Sequence, residues 1–196
     1  MKRVAVTGGI ACGKSLVGEF LLEAGAAVCD TDLVAHGLMA RGQPVQKLVV
    51  KAFGLEVLAP DGSIDRRVLG QLVFCDAQKL SLLNALVHPA VLDEVRRWMA
   101  GLSSACGLAA VVIPLLYEIG GAGSWDAVVC VASPYALQVS RMRDRGLRDE
   151  QIRQRLGAQW PVETKMHMAD YVLYNSGTKE LLKEQTSRVV RRILET

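Results

Sequence analysis

The chain has 196 residues, a formal net charge of +3 and a hydrophobic content of 51%. That length suits one compact α/β domain with small insertions, and that apolar fraction is enough for a substantial core. The mild charge, not gathered into one basic block, does not argue for DNA, and no nucleic-acid partner is expected; no stretch reaches the ~18 uninterrupted apolar residues of a membrane span. The apolar run after Met1-Lys2-Arg3 is too short for a signal peptide. Cys12, Cys29, Cys75, Cys106 and Cys130 lie far apart without C-x-x-C spacing. They read as mostly buried, reduced thiols of a cytoplasmic protein.

In chain order, residues 3–7 are a strand that runs into Gly8-Gly9-Ile10-Ala11-Cys12-Gly13-Lys14-Ser15. The pattern G-x-x-x-x-G-K-[ST] is met by Gly8, Gly13, Lys14 and Ser15. Glycines let the backbone curl so that successive N–H groups face a phosphate, and the following helix turns its positive end to the same anion. Lys14 reaches the β- and γ-phosphates, and the Ser15 hydroxyl is placed to ligate Mg²⁺. Cys12 in this loop reads as a small residue that fits. Residues 14–24 form a helix whose buried face is Val17, Phe20, Leu21 and Ala24, ended by Gly25. Residues 26–29 are a second, buried strand that ends in Asp30-Thr31-Asp32, and a helix resumes at Leu33.

Residues 40–105 show no strong strand pattern. Helical segments cover residues 44–53, 66–74 and 77–87, His88-Pro89 is expected to break the chain, and another helix runs to Ala100. Residues 109–116 are a buried strand ended by Pro114-Leu115-Leu116-Tyr117-Glu118. A glycine-rich loop follows at 120–123, then a buried strand over 126–132, ended by Ser133-Pro134. Helices are expected over 135–145 and 149–159, stopped by Trp160-Pro161. A short strand, 171–174, ends in Asn175-Ser176-Gly177. The tail over 179–194 is an amphipathic helix with Leu182, Val189, Val190 and Ile193 as core contacts. Five apolar strands with helical connections imply a parallel sheet covered on both faces, whose ligands gather at the carboxyl ends of its strands.

The polar residues at those ends suit phosphoryl transfer. Asp30 and Asp32 follow the second strand. A kinase needs a carboxylate to take the acceptor's proton and oxygen ligands on the Mg²⁺ side; helix capping is the alternative for either aspartate. Glu118 ends the third strand. Arg141 and Arg145 share a helix face, as do Arg155 and Gln159. A short arginine-bearing hairpin that closes over a nucleotide would exclude water and bring guanidinium groups to the transferring phosphate. His88 is a candidate substrate contact or a structural histidine. A GTPase-type switch would need N-K-x-D and D-x-x-G motifs, and neither occurs. Another small-molecule kinase, acting on a nucleoside or polyol, is the enzymatic alternative.

The motifs together resemble those of the dephospho-coenzyme A kinase family. They run from Thr7-Gly8-Gly9-Ile10 and Gly13-Lys14-Ser15 through Asp30-Thr31-Asp32, Asp65-Arg66 with Leu69 and Phe74, Leu83-Asn84 and His88-Pro89. They continue in Pro114-Leu115-Leu116-Tyr117-Glu118, Arg141/Arg145, Arg155 with Gln159, Ala169-Asp170-Tyr171 and Asn175-Ser176-Gly177. The chain departs from the family pattern at Ala11-Cys12, where Gly-Ser is usual, at Leu16 for Thr and at Tyr117 for Phe. The stretch 141–147 is one residue short. The resemblance implies an α/β fold of the three-layer P-loop NTPase type, with a five-stranded parallel sheet, a helical acceptor insertion and a helical lid. The core would be residues 1–39, 106–133 and 166–196, the acceptor domain 40–105 and the lid 134–165. The implied activity moves the ATP γ-phosphate to the ribose 3′-hydroxyl of the small-molecule partner dephospho-coenzyme A. Asp32 is the favoured base and Asp30 the Mg²⁺-side acid. Gly8, Gly9, Ile10, Ala11, Cys12, Gly13, Lys14, Ser15, Leu16, Arg145 and Asn175 are expected around ATP. Thr7, Asp32, Arg66, His88 and Glu118 are expected around the acceptor, with Lys14, Arg66 and Arg141 catalytic beside the aspartates.

Overall fold

The structure, a computed structural model, describes residues 1–196 apart from the side chains of Ala122 and Ser124. Five strands alternate with helices. They are β1 (Lys2–Gly8), β2 (Ala27–Asp30), β3 (Leu108–Val112), β4 (Ala127–Ala132) and β5 (Tyr171–Tyr174). They form one all-parallel sheet in the order β2-β3-β1-β4-β5. β1, β3 and β4 are buried almost throughout. This is why each reads as a continuous apolar run rather than an alternating one. Asp30 lies level with Val112, and Val112 with Val6, so β2 and β3 end together while β1 runs on to Gly8.

The chain packs as two compact units, Met1–Asp30 with Gly101–Thr196, and Thr31–Ala100. The first holds the sheet with α1 (Lys14–Glu23), α6 (Tyr135–Asp144), α7 (Asp149–Gly157), α8 (Val162–Met168) and α9 (Lys179–Glu195). Its core joins Val17 and Leu21 of α1, the strand residues, and Leu182, Val190 and Ile193 of α9. Thr178 caps α9 through the N–H of Leu181. The second unit is helical: α2 (Thr31–Leu38), α3 (Pro44–Phe53), α4 (Arg66–Phe74) and α5 (Ala77–Ala100). The Asp65 carboxylate accepts from the N–H groups of Arg67 and Val68, fixing the start of α4 and with it the position of Arg66.

Several expected boundaries shift. His88-Pro89 does not break the chain: Pro89 sits inside the 24-residue α5. The proline removes the donor to the Ala85 carbonyl. Pro89 and Ala85 are both exposed, so that carbonyl is open to solvent and the helix can continue. β3 stops at Val112 instead of running to residue 116; Ile113 still donates to Val6 O at 2.8 Å, and Pro114 then has no N–H to extend the ladder. α2 starts at Thr31, two residues early. Ala24 is exposed at the end of α1, not on its buried face. α8 is additional; seven residues are too few to show a helical period. Among the described residues no helix is long and apolar enough to cross a membrane.

Candidate active site

The carboxyl end of β1 turns directly into the loop Gly8–Ser15 and then α1. Gly8 has φ 143° and Gly13 has φ 101°, both in the region that favours glycine. A side chain on Gly8 would strike the Val131 backbone of β4, and one on Gly13 the Asn175 amide. Ala11, where glycine is usual, is the one non-glycine residue among those described with positive φ, at 57°. Its methyl is buried with Met142 and Ile152 of the α6–α7 hairpin, and Ile10 packs on the same cluster. The departure from glycine is therefore absorbed by apolar contact between loop and hairpin.

The Lys14 ammonium donates to the carbonyls of Gly9 (2.9 Å) and Gly8 (3.2 Å), so it lies over the loop. Ser15 is exposed in the first turn of α1, and Leu16 is half-buried. Cys12 is fully buried; burial pushes its thiol up, and the Lys14 charge offsets only part of this. It is a packing residue, not a reactive thiolate.

The underside of the loop is held by a network of four polar residues. Arg141 Nη1 donates to Ala11 O (3.0 Å) and Ser133 Oγ (2.9 Å), and Nη2 to Asn175 O (3.3 Å). Asn175 Nδ2 donates to Cys12 O at 2.9 Å. Ser133 Oγ donates to Asn175 O at 2.8 Å, and Gln138 Nε2 to Ser133 O at 2.9 Å. Arg141 thus joins β4, β5 and the phosphate loop. Ser133 and Gln138 were missed in the sequence, where Ser133-Pro134 carries only the signal of a strand end.

The expected acceptor residues fall in different surroundings. Thr7 is fully buried, and its hydroxyl donates to Pro114 O at 3.3 Å. Glu118 Oε1 lies 2.7 Å from the Lys165 ammonium and accepts the Trp160 N–H at 2.9 Å. Asp30 is half-buried at the end of β2. In the helical unit, Asp32 is exposed in the first turn of α2, and Arg66 opens α4. Desolvation lowers the Arg66 pKa, and the Asp32 carboxylate counteracts it, so α2 and α4 bring this acid and base into electrostatic contact. His88 is half-buried in α5, and burial lowers its pKa, favouring the neutral imidazole. Arg145 is exposed at the end of α6, and burial lowers the Arg155 pKa.

Among the described residues no group of three or more His, Cys, Asp or Glu can hold a metal ion. Mg²⁺ keeps several waters and binds through one or two protein oxygens plus substrate phosphates. Ser15 and Asp30 are oxygen donors of that kind.

A parallel sheet whose first strand enters a G-x-x-x-x-G-K-S loop, with lysine and serine at its exit, defines a P-loop nucleotide-binding protein. The dephospho-CoA kinase family model matches residues 2–180. The chain belongs to that family, whose members phosphorylate dephospho-CoA with ATP in the last step of CoA synthesis. A dephospho-CoA kinase of Streptomyces avermitilis is 42% identical over 193 residues, covering 96% of this chain and 92% of the relative. One from Enterococcus faecalis is 38% identical over 188 residues, covering 95% and 94%. Among solved structures, dephospho-CoA kinase from Campylobacter jejuni superposes with a TM-score of 0.63 at 25% identity, covering 100% of this chain and 98% of that one. Shikimate kinase from Acinetobacter baumannii, at 14% identity and a TM-score of 0.56, shares the fold alone; the match covers 100% of this chain and 94% of that one.

Proposed function

We propose that this kinase transfers the ATP γ-phosphate to the ribose 3′-hydroxyl of dephospho-CoA, with Asp32 as the base and Lys14 as the principal charge on the phosphates. The observation that carries the reading is the phosphate loop at the end of β1 with the Lys14 ammonium lying over it, on the Gly8 and Gly9 carbonyls; in the helical unit Arg66 feels the charge of Asp32. The carboxylate takes the hydroxyl proton as the 3′-oxygen bonds to the γ-phosphorus and the bond to ADP breaks. Lys14 and the loop N–H groups hold the β- and γ-phosphates. Ser15 and Asp30 would hold Mg²⁺, which when bound neutralises charge on the phosphates. The unit Thr31–Ala100 receives the acceptor, with His88 as a neutral hydrogen-bonding group, and residues 134–165 act as the lid. Arg141 and Asn175 serve ATP by shaping the loop, while Arg145, exposed at the hairpin turn, is the arginine available to a bound nucleotide.

The test is direct. Protein, Mg²⁺-ATP and dephospho-CoA are incubated, and CoA is sought by mass spectrometry, with Lys14→Ala as control. The wild type should give CoA, and the control about 10²–10³-fold less. ATP binding without CoA would discard the acceptor and leave the nucleotide site.

A further inference from the structure

We infer that Lys165 is a positioning residue for phosphoryl transfer, a buried clamp that fixes the return of the α6–α7 hairpin against the ends of β1 and β3. The inference rests on the reading of that hairpin as a lid. Lys165 in α8 is fully buried, which lysines almost never are unless paired. Its ammonium lies 2.7 Å from Glu118 Oε1 and donates to Pro114 O at 2.9 Å, gripping two points of the segment after β3. Each point holds another segment. Pro114 O also accepts the Thr7 hydroxyl, one residue before the phosphate loop. Glu118 Oε1 also accepts the N–H of Trp160, where the chain leaves the hairpin. One ammonium therefore sets the spacing between the strand that carries the phosphate loop and the segment on which the hairpin pivots.

Stability is a weak reason for such a pair. Replacing a buried ion pair by neutral groups of similar size is often harmless, whereas removing one partner is not. The cluster is also not saturated as a purely structural network would be: Glu118 Oε2 and Gln159 Oε1, at the same junction, are buried without a partner among the described residues. What the pair supplies is direction, because an ammonium with two fixed acceptors holds both at hydrogen-bond length.

The experiment compares wild type, Lys165→Met and Lys165→Met/Glu118→Gln. Glutamine keeps an acceptor for the Trp160 N–H while removing the charge that Lys165→Met alone would strand. Lys165→Met should lower Tm or fail to fold, and the double variant should recover most of the Tm. In the double variant kcat should still fall about tenfold or more, as expected of misplaced reacting groups. Recovery of both Tm and kcat would make the pair purely structural and overturn the inference. So would a double variant that does not fold, since the charges would then be needed for folding itself. Hydrogen exchange of residues 134–165 with and without a non-hydrolysable ATP analogue gives a readout independent of the acceptor. The analogue should protect this segment in the wild type and much less in the double variant, and equal protection refutes the clamp even if no CoA is formed by the wild type.

Discussion

Replacing Arg141 by Met separates two roles that an arginine at this point of a kinase can have. One is to touch the transferring phosphate, and the other is to build the loop that does. Its guanidinium makes two good hydrogen bonds, to Ala11 O at 3.0 Å and Ser133 Oγ at 2.9 Å, and a long one to Asn175 O at 3.3 Å. Bonds from a charged donor contribute about 1.5–3 kcal/mol each. The third is weak, the bonds share one group and are not additive, and Arg141 is partly exposed. The loss should therefore be about 3 kcal/mol. For a chain of 196 residues, each kcal/mol moves Tm by roughly 2–4 °C, so Arg141→Met should melt roughly 6–12 °C lower. Ala11 is held at φ 57°, and without the guanidinium its carbonyl is free to turn, so ATP affinity should fall alongside Tm. Thermal denaturation and titration with a fluorescent ATP analogue read the two effects. A variant that melts within about 1 °C of wild type but transfers no phosphate would refute the scaffold reasoning, because the arginine would then act on the bound reactants alone.

Other residues offer independent checks. Asp32→Asn should leave ATP affinity unchanged and cut kcat by about 10²–10⁴-fold, whereas Asp30→Asn should mainly raise the Mg²⁺ concentration needed for half-maximal rate. The reverse pattern in a kinetic titration would exchange the two roles. Ala11→Gly relieves a left-handed alanine worth about 1–2 kcal/mol. It also loses a buried methyl, worth about 0.8 kcal/mol, and raises unfolded-chain entropy by about 0.4–1 kcal/mol. Chemical denaturation should place it within about 1 kcal/mol of wild type, and a loss above about 2 kcal/mol would mean that the methyl's contact with the hairpin dominates. Cys130 is fully buried, and burial pushes its thiol from 9.0 up to about 12. The unfolded chain releases this proton near pH 9.0 and the folded chain only near pH 12. Its contribution is therefore intact below pH 9 and declines as pH rises from 9 towards 12. Tm should fall more steeply over that window in the wild type than in Cys130→Ala, and equal slopes would exclude the thiol as the cause.

The sequence by itself determined the parallel sheet and the phosphate loop, because both are written locally. Fully buried parallel strands must be apolar throughout, as in Ala127–Ala132, and a turn that wraps phosphate needs glycine at Gly8 and Gly13, where any side chain would strike β4 or Asn175. The helix over 66–74 was legible for the same reason, as a local segment between turns, whereas the cap that Asp65 places on it was seen only in the structure. Pro89 misled because a proline's effect depends on whether solvent can serve the carbonyl left behind, and exposure is a tertiary property. The support of the loop lay further out of reach. Arg141 reaches Ala11 across 130 residues, Asn175 reaches Cys12 across 163, and Lys165 reaches Pro114 across 51. In the sequence these are a helical arginine, a strand-end asparagine and an unremarked lysine. Only the tertiary structure decides that their polar groups are buried against one another, because the cost of burying an unpaired charge or amide exists only once packing has removed the water.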